Sequence, residues 1–159
     1  MQKHTIASTC FLLAALLCAP GSFAQPNPGA VDILALASSP RWLTTKVYIE
    51  GEPQTDVKAD YSEVVGISTW DLETNRYEFF DAVTGVSKYN KGGGGYFFVT
   101  GDQKHHILVP EFGPIKTVVR RLEALNKTEF TYSREVPRDM VENNPPVRIH
   151  VVHTPYKGE

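Results

Sequence analysis

Four histidines, His105, His106, His150 and His153, are the natural place to look for chemistry beyond the first segment of this chain, because imidazole titrates near neutral pH and ligates metals. Both pairs fall in runs with strand character, where neighbours and residues three apart point to opposite faces, so neither forms a same-face couple. A metal would need ligands from several strands, at no spacing the sequence displays, and no metal or other cofactor is expected. Along 147–153, Val147, Ile149, Val151 and His153 share one face and Arg148, His150 and Val152 the other, which aims His153 inward. Two roles are open to it: moving a proton on a bound molecule, or capping the core with a hydrogen bond to backbone.

The same alternation puts Phe130 and Tyr132 on one face, and a Tyr132 ring pointing inward offers a polar tip that can orient a ligand. Trp42 and Trp70 are large apolar surfaces that either line a cavity or plug it. Trp42, Trp70, Tyr132 and His153 are therefore the candidate ligand-lining residues. Lys116 and Arg120 share a face that Arg121 opposes; an inward Arg121 would hold a ligand carboxylate, whereas a solvated basic face is the commoner use of such a cluster. No Gly-x-Ser-x-Gly, His-Glu-x-x-His or dinucleotide glycine fingerprint is present, and no acidic pair has a spacing that marks acid–base work. Catalytic residues therefore stay unassigned.

The elements that must position these side chains are short runs rich in β-branched and aromatic residues: 42–50, 64–72, 76–81, 96–100, 104–109, 115–125, 129–136 and 147–153. Short polar links such as Glu73-Thr74-Asn75, Gly101-Asp102-Gln103 and Asn126-Lys127-Thr128 make successive runs antiparallel neighbours. A meander of eight strands removes its exposed edges by closing into a barrel, and an eight-stranded barrel has room for one small ligand. A short apolar stretch, 30–38, reads as one or two helical turns ended by Pro40. Gly92 to Gly95 read as a mobile loop before the strand that starts near Tyr96, since a phosphate-cradling loop ends in Gly-Lys-Ser/Thr and leads into a helix.

Residues 1–24 have the plan of a cleavable secretory signal: Lys3 near the start, an apolar run over 10–18, the breakers Pro20 and Gly21, then Ser22-Phe23-Ala24 before the expected cut. The apolar run is too short to span a bilayer as a helix, so no stable membrane anchor is expected. Residues 25–41 form a leader with the short helix, and 42–159 the barrel domain. Both cysteines, Cys10 and Cys18, fall in the segment to be removed, which excludes disulfides, thiol catalysis and thiolate metal sites from the domain that remains. The full chain carries a formal charge of −2, and losing Lys3 makes it more negative, so no electrostatic surplus invites nucleic acid.

Trp42-Leu43-Thr44-Thr45-Lys46-Val47-Tyr48, Val65-Gly66-Ile67-Ser68-Thr69, Tyr77-Glu78-Phe79-Phe80, Gly95-Tyr96-Phe97-Phe98-Val99-Thr100 and His153-Thr154-Pro155-Tyr156 together resemble a lipocalin-like family of secreted, mostly bacterial proteins catalogued as a domain of unknown function. The resemblance implies an all-β, eight-stranded antiparallel up-and-down barrel of lipocalin or calycin type, and it carries over no catalytic residue. The expectation is a secreted or periplasmic protein that holds a small, largely apolar molecule in its barrel. The alternatives are a barrel enzyme of the isomerase or cyclase type and a non-catalytic structural protein of the envelope.

Overall fold

The computed structural model describes residues 31–89, 93–112 and 116–158. The proposed signal segment lies outside these residues. Eight strands follow one another around a closed antiparallel barrel: β1 (Trp42–Ile49), β2 (Ile67–Asp71), β3 (Arg76–Phe80), β4 (Gly95–Val99), β5 (His105–Pro110), β6 (Val118–Leu125), β7 (Phe130–Pro137) and β8 (Pro146–Pro155). Closure comes from β8 pairing with β1, from Trp42 opposite Pro155 to Ile49 opposite Ile149. Each of the eight runs expected from the sequence holds one strand, so the up-and-down barrel is the architecture of this chain.

The turns are built by a repeated local device in which a short acidic or amide side chain accepts backbone N–H groups two and three residues on. Asp71 binds the N–H groups of Glu73 and Thr74, Asp81 those of Val83 and Thr84, and Asn126 those of Thr128 and Glu129. These contacts, with the Thr74 and Thr84 hydroxyls, hold the carboxyl groups of Asp71 and Asp81 below the usual carboxylate range.

The end of the glycine run is close-packed, in contrast to the mobile loop expected there; Gly92 itself lies outside the described residues. A Cβ on Gly94 would fall 2.5 Å from the Tyr77 ring, and one on Gly95, at φ +145°, would fall 2.2 Å from the Val109 carbonyl oxygen. Glycine is required at these two positions because β3 and β5 crowd them from both sides. Gly95→Ala is expected to cost about 2 kcal/mol or more in urea denaturation, while Gly101→Ala, where a Cβ meets nothing within 4 Å, stays within about 0.5 kcal/mol.

Two bulges decide which side chains face inward. In β1 the register shifts between Thr44 and Lys46, so Trp42 and Thr44 point in, and after the extra residue Val47 takes the inner face. In β6 the shift between Leu122 and Ala124 does the same, with Arg120 and Leu122 inside before it and Leu125 after it.

One end of the barrel is plugged. The short helix expected near the N-terminus is a 3-10 turn, Ile33–Ser38, whose cap Asp32 accepts the Leu34 N–H at 3.0 Å and whose Leu36 is fully buried. The Asp32 N–H bonds to the Leu125 carbonyl at 2.8 Å, and the Trp42 indole N–H donates to the Leu36 carbonyl at 3.1 Å, which ties the plug to β6 and β1. Above it Trp70 meets Phe97 and Phe130 edge-on at centroid distances of 5.3 and 5.8 Å, so this part of the interior is solid aromatic core.

The wall is thin between β1 and β2, as it is between β3 and β4, where again two residue pairs cross. Only Trp42 with Ser68 and Leu43 with Ile67 pair between β1 and β2, and beyond the Thr44 N–H bond to the Gly66 carbonyl these two strands part. A second 3-10 segment, Lys58–Val64, fills the gap over the rest of β1, with the Val57 N–H bonded to the Val47 carbonyl and Tyr61 buried beneath. Residues 64–66, read from sequence as the start of a strand, belong to this crossing instead.

Candidate functional site

The parting of β1 and β2 opens a cleft into the barrel that encloses about 290 Å³, counted with its mouth. Thr44, Ser68, Phe79, Arg120, Tyr132 and His153 line its inner part, and Glu63, Val65 and Lys88 its approach. Most of that space is the open mouth, and the enclosed part has room for about one water molecule, so any larger occupant would extend outward between β1 and β2.

Each inner side chain is set by strand register. Phe130 stands opposite His153, Thr44 opposite His153, and Leu122 opposite Tyr132, which gathers β1, β6, β7 and β8 around one spot. His153 Nδ1 lies 3.0 Å from the Phe130 carbonyl oxygen; it must donate there, which leaves Nε2 as the acceptor of a neutral ring. Burial pushes the His153 imidazole down to about 3; the Phe130 bond opposes this, and the Arg120 charge adds to it. Its ring stacks on Tyr132 at 5.5 Å and on Phe130 at 5.0 Å.

Thr44 is satisfied within the protein, donating its hydroxyl to the Val64 carbonyl at 3.2 Å and accepting the Gly66 N–H at 3.3 Å. Ser68 Oγ accepts the Trp70 indole N–H at 3.0 Å, which frees its own proton for another acceptor. At the mouth Lys88 donates to the Val65 carbonyl at 2.6 Å.

Arg120 is the unexpected member. It is only 5% exposed, and its guanidinium lies over the Tyr132 ring at 4.1 Å and the Phe79 ring at 5.3 Å. Its Nε has no hydrogen-bond partner, and among the described residues no carboxylate pairs with it. Burial lowers its pKa; beyond that the groups acting on it are tyrosines and a second cation, Arg134. A guanidinium remains charged regardless. Arg121, weighed from the sequence as a carboxylate holder, instead faces outward and pairs with Glu123 at 3.5 Å. The signal that separates them is short: Leu122 continues the Arg120 face and Glu123 the Arg121 face, and the leucine marks the inside.

Of the four candidate lining residues, Tyr132 and His153 stand together in the cleft. Trp42 and Trp70 do not reach it and belong to the plug and the aromatic core. His105 and His150 lie outside the cleft, His150 stacked on Tyr48 at 4.6 Å. His106 is fully buried with no partner for either ring nitrogen among the described residues, packed on Trp70 at 4.6 Å, and burial drives its pKa well down. Among the described residues no group of three His, Cys, Asp or Glu side chains is placed to hold a metal ion, and no helix is long and apolar enough to cross a membrane.

Comparison with known families finds a match over residues 32–159 to the family described as Domain of unknown function (DUF4822). The chain belongs to this family. The matched span takes in the 3-10 plug as well as all eight strands, so in this DUF4822 chain plug and barrel form one unit. No curated protein matches the chain.

Proposed function

We propose that this DUF4822 barrel is a binding module for one small, largely apolar molecule, which enters between β1 and β2 and rests against Phe79, Tyr132 and His153. The observation that carries this reading is a cleft in which Val64, Val65, Ile67, Phe79 and Tyr132 stand beside Thr44, Ser68, Arg120 and His153, cut into a barrel whose interior is otherwise packed. We also propose that the chain is exported by the signal at 1–24 and works as a secreted or periplasmic protein; the support is the sequence plan of that segment.

The enzyme alternative would make His153 the proton carrier. Its Nδ1 is committed to backbone and its ring is stacked on Tyr132, and among the described residues no carboxylate lines the inner cleft to relay a proton, which favours binding. The purely structural alternative is favoured by the solid lower interior but leaves the cleft unexplained.

Native mass spectrometry of the barrel against small aromatic and aliphatic metabolites, neutral and charged, is expected to show one molecule bound per chain. A Val65→Trp variant, which adds bulk at the approach, should lose that adduct. Absence of any adduct across the set in the parent protein would end the binding-module reading.

A further inference from the structure

We propose that the molecule held in the cleft carries a single carboxylate, which seats on the in-plane N–H edge of Arg120. This rests on the binding-module reading and narrows its ligand. A buried guanidinium without a counter-charge is costly, because desolvation removes several kcal/mol of hydration that only an anion or a dense set of acceptors returns. Among the described residues no carboxylate does so: Arg120 is surrounded by Phe79, Tyr77, Tyr89, Tyr132, His153 and a like charge, Arg134. Tyr77 and Tyr89 are not anionic substitutes, since burial raises both phenols above their ordinary values.

The geometry selects the anion. Tyr132 and Phe79 lie against the guanidinium, with Cζ 4.1 and 5.3 Å from their ring centroids, and neither offers it an anion; its N–H donors lie in its own plane, where a planar carboxylate binds through two parallel hydrogen bonds. Ser68, with its proton free, adds a donor on the same cleft wall. Among the described residues only one other cation lines the cleft, Lys88, already bound to the Val65 and Ser62 carbonyls, and Glu63 stands at the approach. That charge balance suits a monoanion and disfavours a doubly charged phosphate or sulfate. Val64, Val65 and Ile67 then receive the apolar body.

The test is a pair of probes of nearly one shape, benzoate and benzamide, titrated calorimetrically into the full barrel at neutral pH. Benzoate is expected to bind about tenfold tighter or more. In Arg120→Met that preference should vanish while benzamide affinity is retained, and the melting temperature without ligand should hold or rise because an unpaired buried charge has been removed. Equal affinity of the unaltered protein for the two probes overturns the carboxylate and leaves the binding module standing; binding of neither probe overturns the carboxylate too. Equimolar sulfate displacing benzoate would assign the site to an inorganic anion and also overturn it. If Arg120→Met does not fold, the ratio of the two probes in the unaltered protein decides by itself.

Discussion

Trp42→Ala is expected to destabilise the barrel by about 3–5 kcal/mol, a large share of the roughly 5–15 kcal/mol that holds a domain of this size together. Trp42 is fully buried, meets Phe130 edge-on at 6.2 Å, and donates its indole N–H to the Leu36 carbonyl at 3.1 Å. Removing the ring therefore opens a cavity at the plugged end and leaves a buried carbonyl without its donor. Trp42→Phe separates the two effects: most packing survives, and the lost hydrogen bond costs about 1–2 kcal/mol. Urea denaturation followed by circular dichroism measures both. A loss under about 1 kcal/mol for the alanine variant would mean that the plug does not unfold together with the barrel.

Acid is expected to unfold the protein well before its carboxylates are protonated. His106 and His153 are buried neutral, with pKa values pushed below the ordinary 6.5, His153 to about 3. Between pH 6.5 and that lower value the unfolded chain takes up protons that the folded chain refuses, so stability falls as pH falls. His153 contributes a slope approaching about 1.4 kcal/mol per pH unit across that window, and His106, also held well below its ordinary value by burial, acts in the same direction. Arg120 repels a proton from both rings and strengthens the effect. His150 is also lowered, acting in the same direction, though it is stacked near the surface. The lowered groups of Asp56, Asp71, Asp81 and Asp102 act the same way but only below about pH 4, where their unfolded counterparts begin to protonate. The interval from about 6.5 to about 4.5 thus belongs to the histidines. His153→Asn, which keeps a donor near the Phe130 carbonyl but does not titrate, should lower the slope there by about 1.4 kcal/mol per pH unit. A stability that stays level from about pH 7 to about pH 4.5 would contradict the buried neutral state of both rings.

The site was legible in uneven measure. Tyr132 and His153 follow from alternation along β7 and β8, two strands that pair without a break from Phe130 opposite His153 to Pro137 opposite Pro146, so counting in twos stays true along both. Arg120 was harder to place, because a charged residue is ordinarily assigned to solvent and its inward face shows only through Leu122, just before the bulge in β6. Whether Trp42 and Trp70 plug or line depends on what approaches them from elsewhere in the chain, and for Trp42 the neighbour is a six-residue 3-10 turn whose docking no local pattern announces.

What the sequence alone determined is the set of eight strands and the turns between them. Both are local: strand preference acts over a few residues, and Asp71, Asp81 and Asn126 bind N–H groups only two or three positions away. Tertiary structure decided the closure of β8 on β1, the parting of β1 from β2 and the two bulges. Each is a matter of register between distant segments, and a single extra residue exchanges the inner and outer faces of everything beyond it. Those non-local choices brought Arg120 against Phe79 and Tyr132 and placed His153 in the same cleft, gathering side chains of separate strands around one buried charge.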